Sequence, residues 1–242
     1  MLLCYSVFSR LNVTRLERAF VWSGGAMFVV SLALCAWWYL VVLARATAAR
    51  GWAPVAADVL LFTAFGLHHS VFARDRVKRA LDAIVPQRLA RSVYVWTASV
   101  LLILVCALWQ PVGGELYDVR GGRAFAHALV QLVGIWLIVQ SVRAIDPLEL
   151  AGIRRSGQSS ASDTLQIGGP YRWVRHPVYL GWILAVFGVP HMTGDRFTFA
   201  AITSIYLVIA IPWEERSLGR TFARQYEEYR LKVRWRVIPF VY

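Results

Sequence analysis

The chain has 242 residues, of which 58% are hydrophobic and only 17% charged, with a formal net charge of +12. A mean hydropathy of +0.51 leaves more apolar side chain than one water-soluble core of this length can hide, which excludes an ordinary soluble enzyme and makes lipid the required solvent. A basic balance of this size suits nucleic acid in a soluble protein, but here the cations follow membrane topology and no nucleic-acid partner is expected.

The chain opens Met1-Leu2-Leu3-Cys4-Tyr5 and then carries Asn12, Arg15, Glu17 and Arg18, which lacks the basic, apolar and small-residue order of a cleaved signal. Hydrophobic stretches follow at 20–44, 55–73, 93–112, 124–145, 177–193 and 197–213, each near the roughly 20 residues that cross a hydrocarbon core. The second is interrupted by His68, His69 and Ser70. Cys4, Cys35 and Cys106 share no spacing that suggests a disulfide framework or a thiolate metal site, so packing roles and no metal are expected.

Placing the N-terminus inside puts twenty-one Lys and Arg residues on cytoplasmic segments and five, Arg45, Arg50, Arg120, Arg123 and Arg196, outside. That asymmetry predicts a multi-pass protein with both termini cytoplasmic, in an inner membrane of bacterial type, with its basic segments against anionic headgroups. Between the second and third stretches, Arg74 to Ala90 interleaves cations with Val77, Leu81, Ile84, Val85 and Leu89, a pattern suited to the membrane surface or to a solvated connector.

No linker divides the chain into two cores. A single membrane domain, 1–242, is expected: transmembrane helices over 1–145, then a region over 146–242 that carries the chemistry. Asp146-Pro147 should end the fourth helix, and the polar run Ser156 to Asp163 reads as a lid or mobile loop.

The polar loop ends in Gly168-Gly169-Pro170-Tyr171-Arg172 and turns into a helix at Arg175-His176-Pro177-Val178-Tyr179-Leu180-Gly181. Pro177 suits the first turn of a helix, whose free N–H groups and dipole favour a ligand carboxylate. Arg172 and Arg175 can add forked donors. One hydrophobic stretch later come Glu214 and Glu215. Stepped at 100° per residue, Leu218, Phe222, Tyr226, Tyr229 and Val233 share one face of the last helix, with Glu215 on that inward face at about 60° from Leu218. An inward carboxylate at a membrane boundary needs a cation, which leaves Arg172, Arg175 or a ligand ammonium as its partner.

These blocks resemble the integral-membrane methyltransferases related to isoprenylcysteine carboxyl methyltransferase and the phospholipid N-methyltransferases. The likeness is carried by Gly169-Pro170-Tyr171-Arg172, by Arg175-His176-Pro177-x-Tyr179-Leu180-Gly181, and by Glu214-Glu215-x-x-Leu218-x-x-x-Phe222-x-x-x-Tyr226-x-x-Tyr229. A weaker likeness, in His69-Ser70-Val71-Phe72-Ala73-Arg74, Arg91-Ser92-x-Tyr94-Val95 and Pro190-x-Met192-Thr193, is to the NnrU-like branch that includes methanethiol S-methyltransferases. The hydrophobic stretches and the charge asymmetry predict an all-α polytopic bundle of five or six transmembrane helices with a cytoplasmic C-terminal helix, and the resemblance implies S-adenosylmethionine as methyl donor. It assigns donor binding to Gly169, Pro170, Tyr171, Arg172, His176, Pro177, Tyr179, Leu180, Gly181, Glu214 and Glu215, and catalysis to His176, Arg175 and Glu215. The acceptor is a small thiol or another molecule that partitions into the membrane, with Trp109, Gln131, Trp136 and Gln140 shaping its access.

Two departures define the alternatives. Ala223 stands where that family has Gly, and the ending Val233 to Tyr242 looks like the tail of membrane sterol reductases, which use NADPH. Those enzymes follow His-Pro with Asn and the Gly with an acid, where this chain has Val178 and Trp182. A haem protein is the other alternative, with His69 and His176, or His127 and His191, as axial pairs matched in depth.

Overall fold

The computed structural model describes residues 15–72, 85–144, 151–153 and 165–242, with positions 77, 83 and 148 between them. The expected surface segment 74–90 and the expected lid over 156–163 fall largely or wholly outside the described residues, as does the N-terminal segment through residue 14. Six helices account for most of the rest: α1 (Arg15–Trp37, continued by a π-helical turn Trp38–Val42), α2 (Trp52–Phe72), α3 (Gln87–Leu108), α4 (Gly122–Ala144), α5 (Pro177–Phe187) and α6 (Gly194–Lys232). A two-stranded antiparallel sheet joins β1 (Glu115–Asp118) to β2 (His191–Thr193), with Asp118 opposite His191.

Four helices, α1 with its π turn, α3, α4 and α6, are long and apolar enough to cross a membrane, and α2 and α5 are shorter apolar helices. Their apolar residues are widely exposed, Leu60 at 71% and Phe125 at 67% among them, as lipid-facing surface must be. The all-α membrane bundle expected from the sequence is therefore the observed architecture.

Two boundaries differ from the sequence reading. The stretch 177–193 is not one spanning helix: α5 has 11 residues, about 16 Å, and Gly188 caps it before the chain turns into β2. The sixth stretch and the C-terminal helix, expected as separate elements, form one 39-residue helix that bends at Ala223. At about 58 Å it is far longer than a hydrocarbon core and carries its distal turns beyond it.

The α4–α5 contact positions the site. Gly134 and Gly181 face each other across it, so closely that a Cβ on Gly134 would come within 2.6 Å of the Gly181 carbonyl and one on Gly181 within 2.7 Å of the Gly134 carbonyl. Small residues at such a crossing let two backbones pack without a hydrophobic driving force.

At the end of α5 remote from His176, the bundle is closed by a polar layer. Asp195, in the first turn of α6, accepts hydrogen bonds from Trp109 Nε1, Val112 N and Gly113 N at 3.0, 2.8 and 2.9 Å. Arg196, one of the five cations counted on the outer side, is buried. Its guanidinium donates to the carbonyls of Tyr39, Leu40 and His191, and so satisfies oxygens freed where α1 unwinds into its π turn. Beneath this layer the rings of Trp38, Trp109 and Phe199 meet edge-on at centroid distances of 5.4 to 5.8 Å.

Ala223 adopts φ 40°, ψ −115°, a left-handed conformation that a residue with a Cβ reaches only at a cost of about 1–3 kcal/mol. Glycine pays no such steric penalty, which explains the Gly in the resembled family. Ala223→Gly should therefore raise the stability of the purified protein by about 1 kcal/mol, after the extra chain entropy that glycine loses. Thermal unfolding in detergent measures it, and an unchanged or lower melting temperature would contradict the strained bend.

Candidate functional site

The site forms where the start of α5, the middle of α6 and the C-terminal tail converge. Gly168 and Gly169 lead into a 3₁₀ turn over Gly169–Arg172, with Gly169 at φ 56° and open space where its Cβ would stand. Pro177 then opens α5, and His176 occupies the N-cap position without a side-chain capping bond. Its ring is free to point at α6.

The tail runs back across this turn. Arg175 N and His176 N donate to the carbonyls of Trp235 and Arg236 at 2.9 and 2.8 Å, while the Arg175 guanidinium reaches the carbonyls of Val233 and Arg234 at 2.9 and 2.8 Å. The same guanidinium binds Glu215 Oε1 through Nε at 2.7 Å, with both side chains less than a tenth exposed. Arg236 adds a second cation, Nε to Glu215 Oε2 at 3.3 Å. Of the partners left open for Glu215, the structure selects Arg175. Arg236 is a member of this cluster that the sequence reading did not place there, and the one signal for it was an ending atypical of the resembled family.

His176 lies between the paired carboxylates, Nδ1 3.5 Å from Glu214 Oε2 and Nε2 3.4 Å from Glu215 Oε1. The second approach lacks hydrogen-bond geometry, so Nε2 is buried without a hydrogen-bond partner. The imidazole stacks on Tyr179 at 5.2 Å, and the Tyr179 hydroxyl donates to Glu214. Glu214 differs from its neighbour: its side chain is 48% exposed and no arginine pairs with it among the described residues.

Burial by itself would raise the Glu215 carboxyl. The His176 ring 3.4 Å away, the hydrogen bond from Arg175 and the charges of Arg175 and Arg236 outweigh it and hold the group at about 2. For His176 burial favours the neutral ring, but Glu214 and Glu215 outweigh that and raise its pKa.

The inward stripe reads out as expected. Tyr226, Tyr229 and Val233 form a small core with Leu165, Leu218 and Phe222, and Tyr229 donates to the Tyr171 carbonyl at 2.7 Å. The structure thus brings together Tyr171, Arg175, His176, Tyr179, Glu214 and Glu215. It does not bring Arg172 to them, which is exposed on the far side of the turn. Pro170 and Pro177 are buried in the turn, Leu180 is half-buried, and Gly181 faces α4.

Trp109 sits at the opposite end on Asp195, and Gln131 ties α4 to α5 through the Ala185 carbonyl at 3.1 Å. Of the residues drawn as axial pairs, His127 faces the Val189 carbonyl and His191 faces Glu115. The side chain of His69 lies outside those described. Among the described residues no group of three or more His, Cys, Asp or Glu is placed to hold a metal ion. Trp182, where the reductase pattern has an acid, donates to Thr203 at 2.9 Å and packs against Phe199.

Replacing Glu215 by Gln leaves the buried Arg175 cation facing a neutral amide, which costs about 3 kcal/mol for a buried pair, so Glu215→Gln should lose cooperative unfolding or melt well below the parent. The pH dependence follows from the directions of the shifts. Glu215, depressed in the fold, contributes fully above its ordinary 4.5 and loses that contribution as pH falls toward about 2. His176, raised in the fold, contributes fully below its ordinary 6.5 and loses its contribution as pH rises through the raised value. Stability from this cluster is complete between those two ordinary values. A melting temperature followed across pH should fall on the alkaline side in the parent but not in His176→Gln.

The phospholipid methyltransferase family profile matches residues 123–225, from the start of α4 to just past the Ala223 bend. The chain is 35% identical over 186 residues to the methanethiol S-methyltransferase of Mycobacterium tuberculosis, covering 74% of this chain and 76% of that protein. It is 34% identical over 191 residues to the methanethiol S-methyltransferase of Crocosphaera subtropica, covering 76% and 74%. A more distant relative is nurim of Xenopus laevis, 29% identical over 168 residues, covering 63% and 58%. No solved structure matches significantly. The matched span contains the Arg-His-Pro turn and both glutamates, and the chain belongs to the family of membrane methyltransferases related to the phospholipid methyltransferases, alongside the methanethiol S-methyltransferases.

Proposed function

We propose that the protein transfers a methyl group from S-adenosylmethionine to a small thiol of the methanethiol kind, at the cytoplasmic boundary of an inner membrane of bacterial type. The observation that supports this best is the division of labour between the two glutamates. Glu215 is neutralised by Arg175 and Arg236, while Glu214 is half-exposed and keeps an accessible carboxylate beside Tyr179. The donor is a zwitterion with an ammonium, a carboxylate and an aromatic base. Glu214 can take the ammonium by a charge-assisted bond. The buried, hydrogen-bond-free Nε2 of His176 and the open space at Gly169 fit a polar ligand laid along the turn. Tyr171 and Tyr179 give faces for the base, and Pro170, Pro177 and Leu180 shape the turn beneath them.

When bound, the donor supplies an electrophilic methyl on a sulfonium. The protein has little covalent chemistry to add: it positions, excludes water and sets charge. With both ring nitrogens facing carboxylates, His176 positions the start of α5 against Glu214 and Glu215. Arg175 orders the turn from beneath, through the carbonyls of Val233 and Arg234. The acceptor reacts as its thiolate, its proton passing to water at the membrane boundary, and the new sulfur–carbon bond forms as the donor's methyl–sulfonium bond breaks and leaves S-adenosylhomocysteine.

Three measurements test this reading. Thermal shifts in detergent should show stabilisation by S-adenosylmethionine or S-adenosylhomocysteine, about 2.7 kcal/mol at a hundredfold excess over Kd, and none by NADPH. The reverse result would favour the reductase. Transfer of labelled methyl to methanethiol, a prenylated cysteine and a lipid amine separates the acceptor classes, with the thiol expected. Glu214→Gln should weaken donor binding more than tenfold, the value of a charge-assisted bond at about 1.5–3 kcal/mol, while its melting temperature without donor stays close to that of the parent. Unchanged affinity by calorimetry would remove Glu214 from the donor site.

A further inference from the structure

Beside the site, on the outer side of the Gly169–Arg172 turn, lies a groove of about 460 Å³ whose walls include Arg172, Trp173, Lys232, Arg234, Trp235 and Phe240. We infer that this groove seats the headgroup phosphate of an anionic phospholipid, with Phe240 and Val241 inserted among the acyl chains next to it.

Charge is the first support. Three cations line the groove and no acidic side chain does. Neighbouring arginines on α6 have partners, Arg224 with Glu228 at 2.7 Å and Arg230 with Glu227 at 3.1 Å. Among the described residues, the side chains of Arg172, Lys232 and Arg234 make no ion pair or hydrogen bond. Three unpaired cations on one concave surface repel each other unless an anion joins them, and near an anionic leaflet each adds to attraction.

The second support is the tail itself. Arg236 N, Val237 N and Ile238 N all converge on the Tyr242 carbonyl at 2.8 to 3.0 Å, and Arg236 also reaches the Tyr242 hydroxyl at 3.0 Å. This knot holds Phe240 at its tip in the left-handed region, φ 65°. The ring touches Trp235 at 5.4 Å yet is 84% exposed, and Val241 is 73% exposed. Apolar side chains held outward beside cations suit the acyl–headgroup boundary and have no comparable use in water.

Depth is the third. Trp173, in the groove wall, stacks on Trp136 of the membrane-crossing α4 at 6.2 Å. The groove therefore adjoins the bilayer, where tryptophan rings collect.

The test uses the full-length protein in detergent and native mass spectrometry with phosphatidylglycerol, phosphatidylcholine or inorganic phosphate. The parent should retain phosphatidylglycerol at more than tenfold lower concentration than phosphatidylcholine, with the preference lost in high salt. The double variant Lys232→Gln/Arg234→Gln should lose the preference while still binding S-adenosylhomocysteine as the parent does, and Phe240→Ser should weaken retention of both lipids. Equal retention of the two lipids by the parent, or a preference that survives the double variant, would overturn the proposal. Inorganic phosphate that displaces phosphatidylglycerol at equal concentration would overturn the lipid as the source of the anion. Should the double variant fail to fold, a preference in the parent that is insensitive to salt would overturn it as well.

Discussion

A single buried carboxylate holds this end of the molecule together. Glu215 enters the bundle on the inward face of α6, where an unpaired charge would cost several kcal/mol. Its cations come from two other segments: Arg175 and His176 from the start of α5, and Arg236 from the tail. Because those segments are distant in sequence, the carboxylate can be satisfied only when all three are in place. The turn that presents Tyr171, Tyr179 and the edge of Glu214 is thus a consequence of burying Glu215.

That arrangement depends in turn on close helix packing. The Gly134–Gly181 contact brings α5 against α4, which fixes where α5 begins and therefore where His176 and Arg175 stand. At the opposite end, Asp195 and Arg196 secure the entrance to α6 and the unwound end of α1 by taking up backbone N–H and carbonyl groups that lipid cannot satisfy. The helix that carries the glutamates is held by buried charges at its start, through Asp195 and Arg196, and at its middle, through Glu215, which limits how far that half can slide or tilt beneath the site.

Adjacent identical residues acquire unlike roles from their environments. Glu215 faces inward and is saturated by cations, so it builds the site; Glu214, one step of 100° away, meets water and Tyr179, so it remains available. The pair lies inside the span matched by the family profile, and the division between a structural and an accessible carboxylate follows from burial. Arg172 shows the same logic in reverse: it belongs to the motif by position, yet its side chain joins Lys232 and Arg234 on another surface.

The sequence alone determined the solvent and the all-helical class and singled out the two polar blocks that the structure brings together, because hydropathy and 100° periodicity are local properties of the chain. The inward stripe from Leu218 to Val233 and the inward setting of Glu215 were legible for the same reason. Tertiary structure decided what depends on distances between remote segments. These include the choice of Arg175 over Arg172 as partner, the addition of Arg236, and the burial of Arg196 against carbonyls of α1. It also decided that α5 stops at Phe187, since the apolar run continues in sequence, but Gly188 and the pairing of β2 with β1 end the helix. No window of sequence holds both partners of such a contact, and in a membrane, where apolar burial favours no particular neighbour, the polar contacts between distant segments are what select the fold.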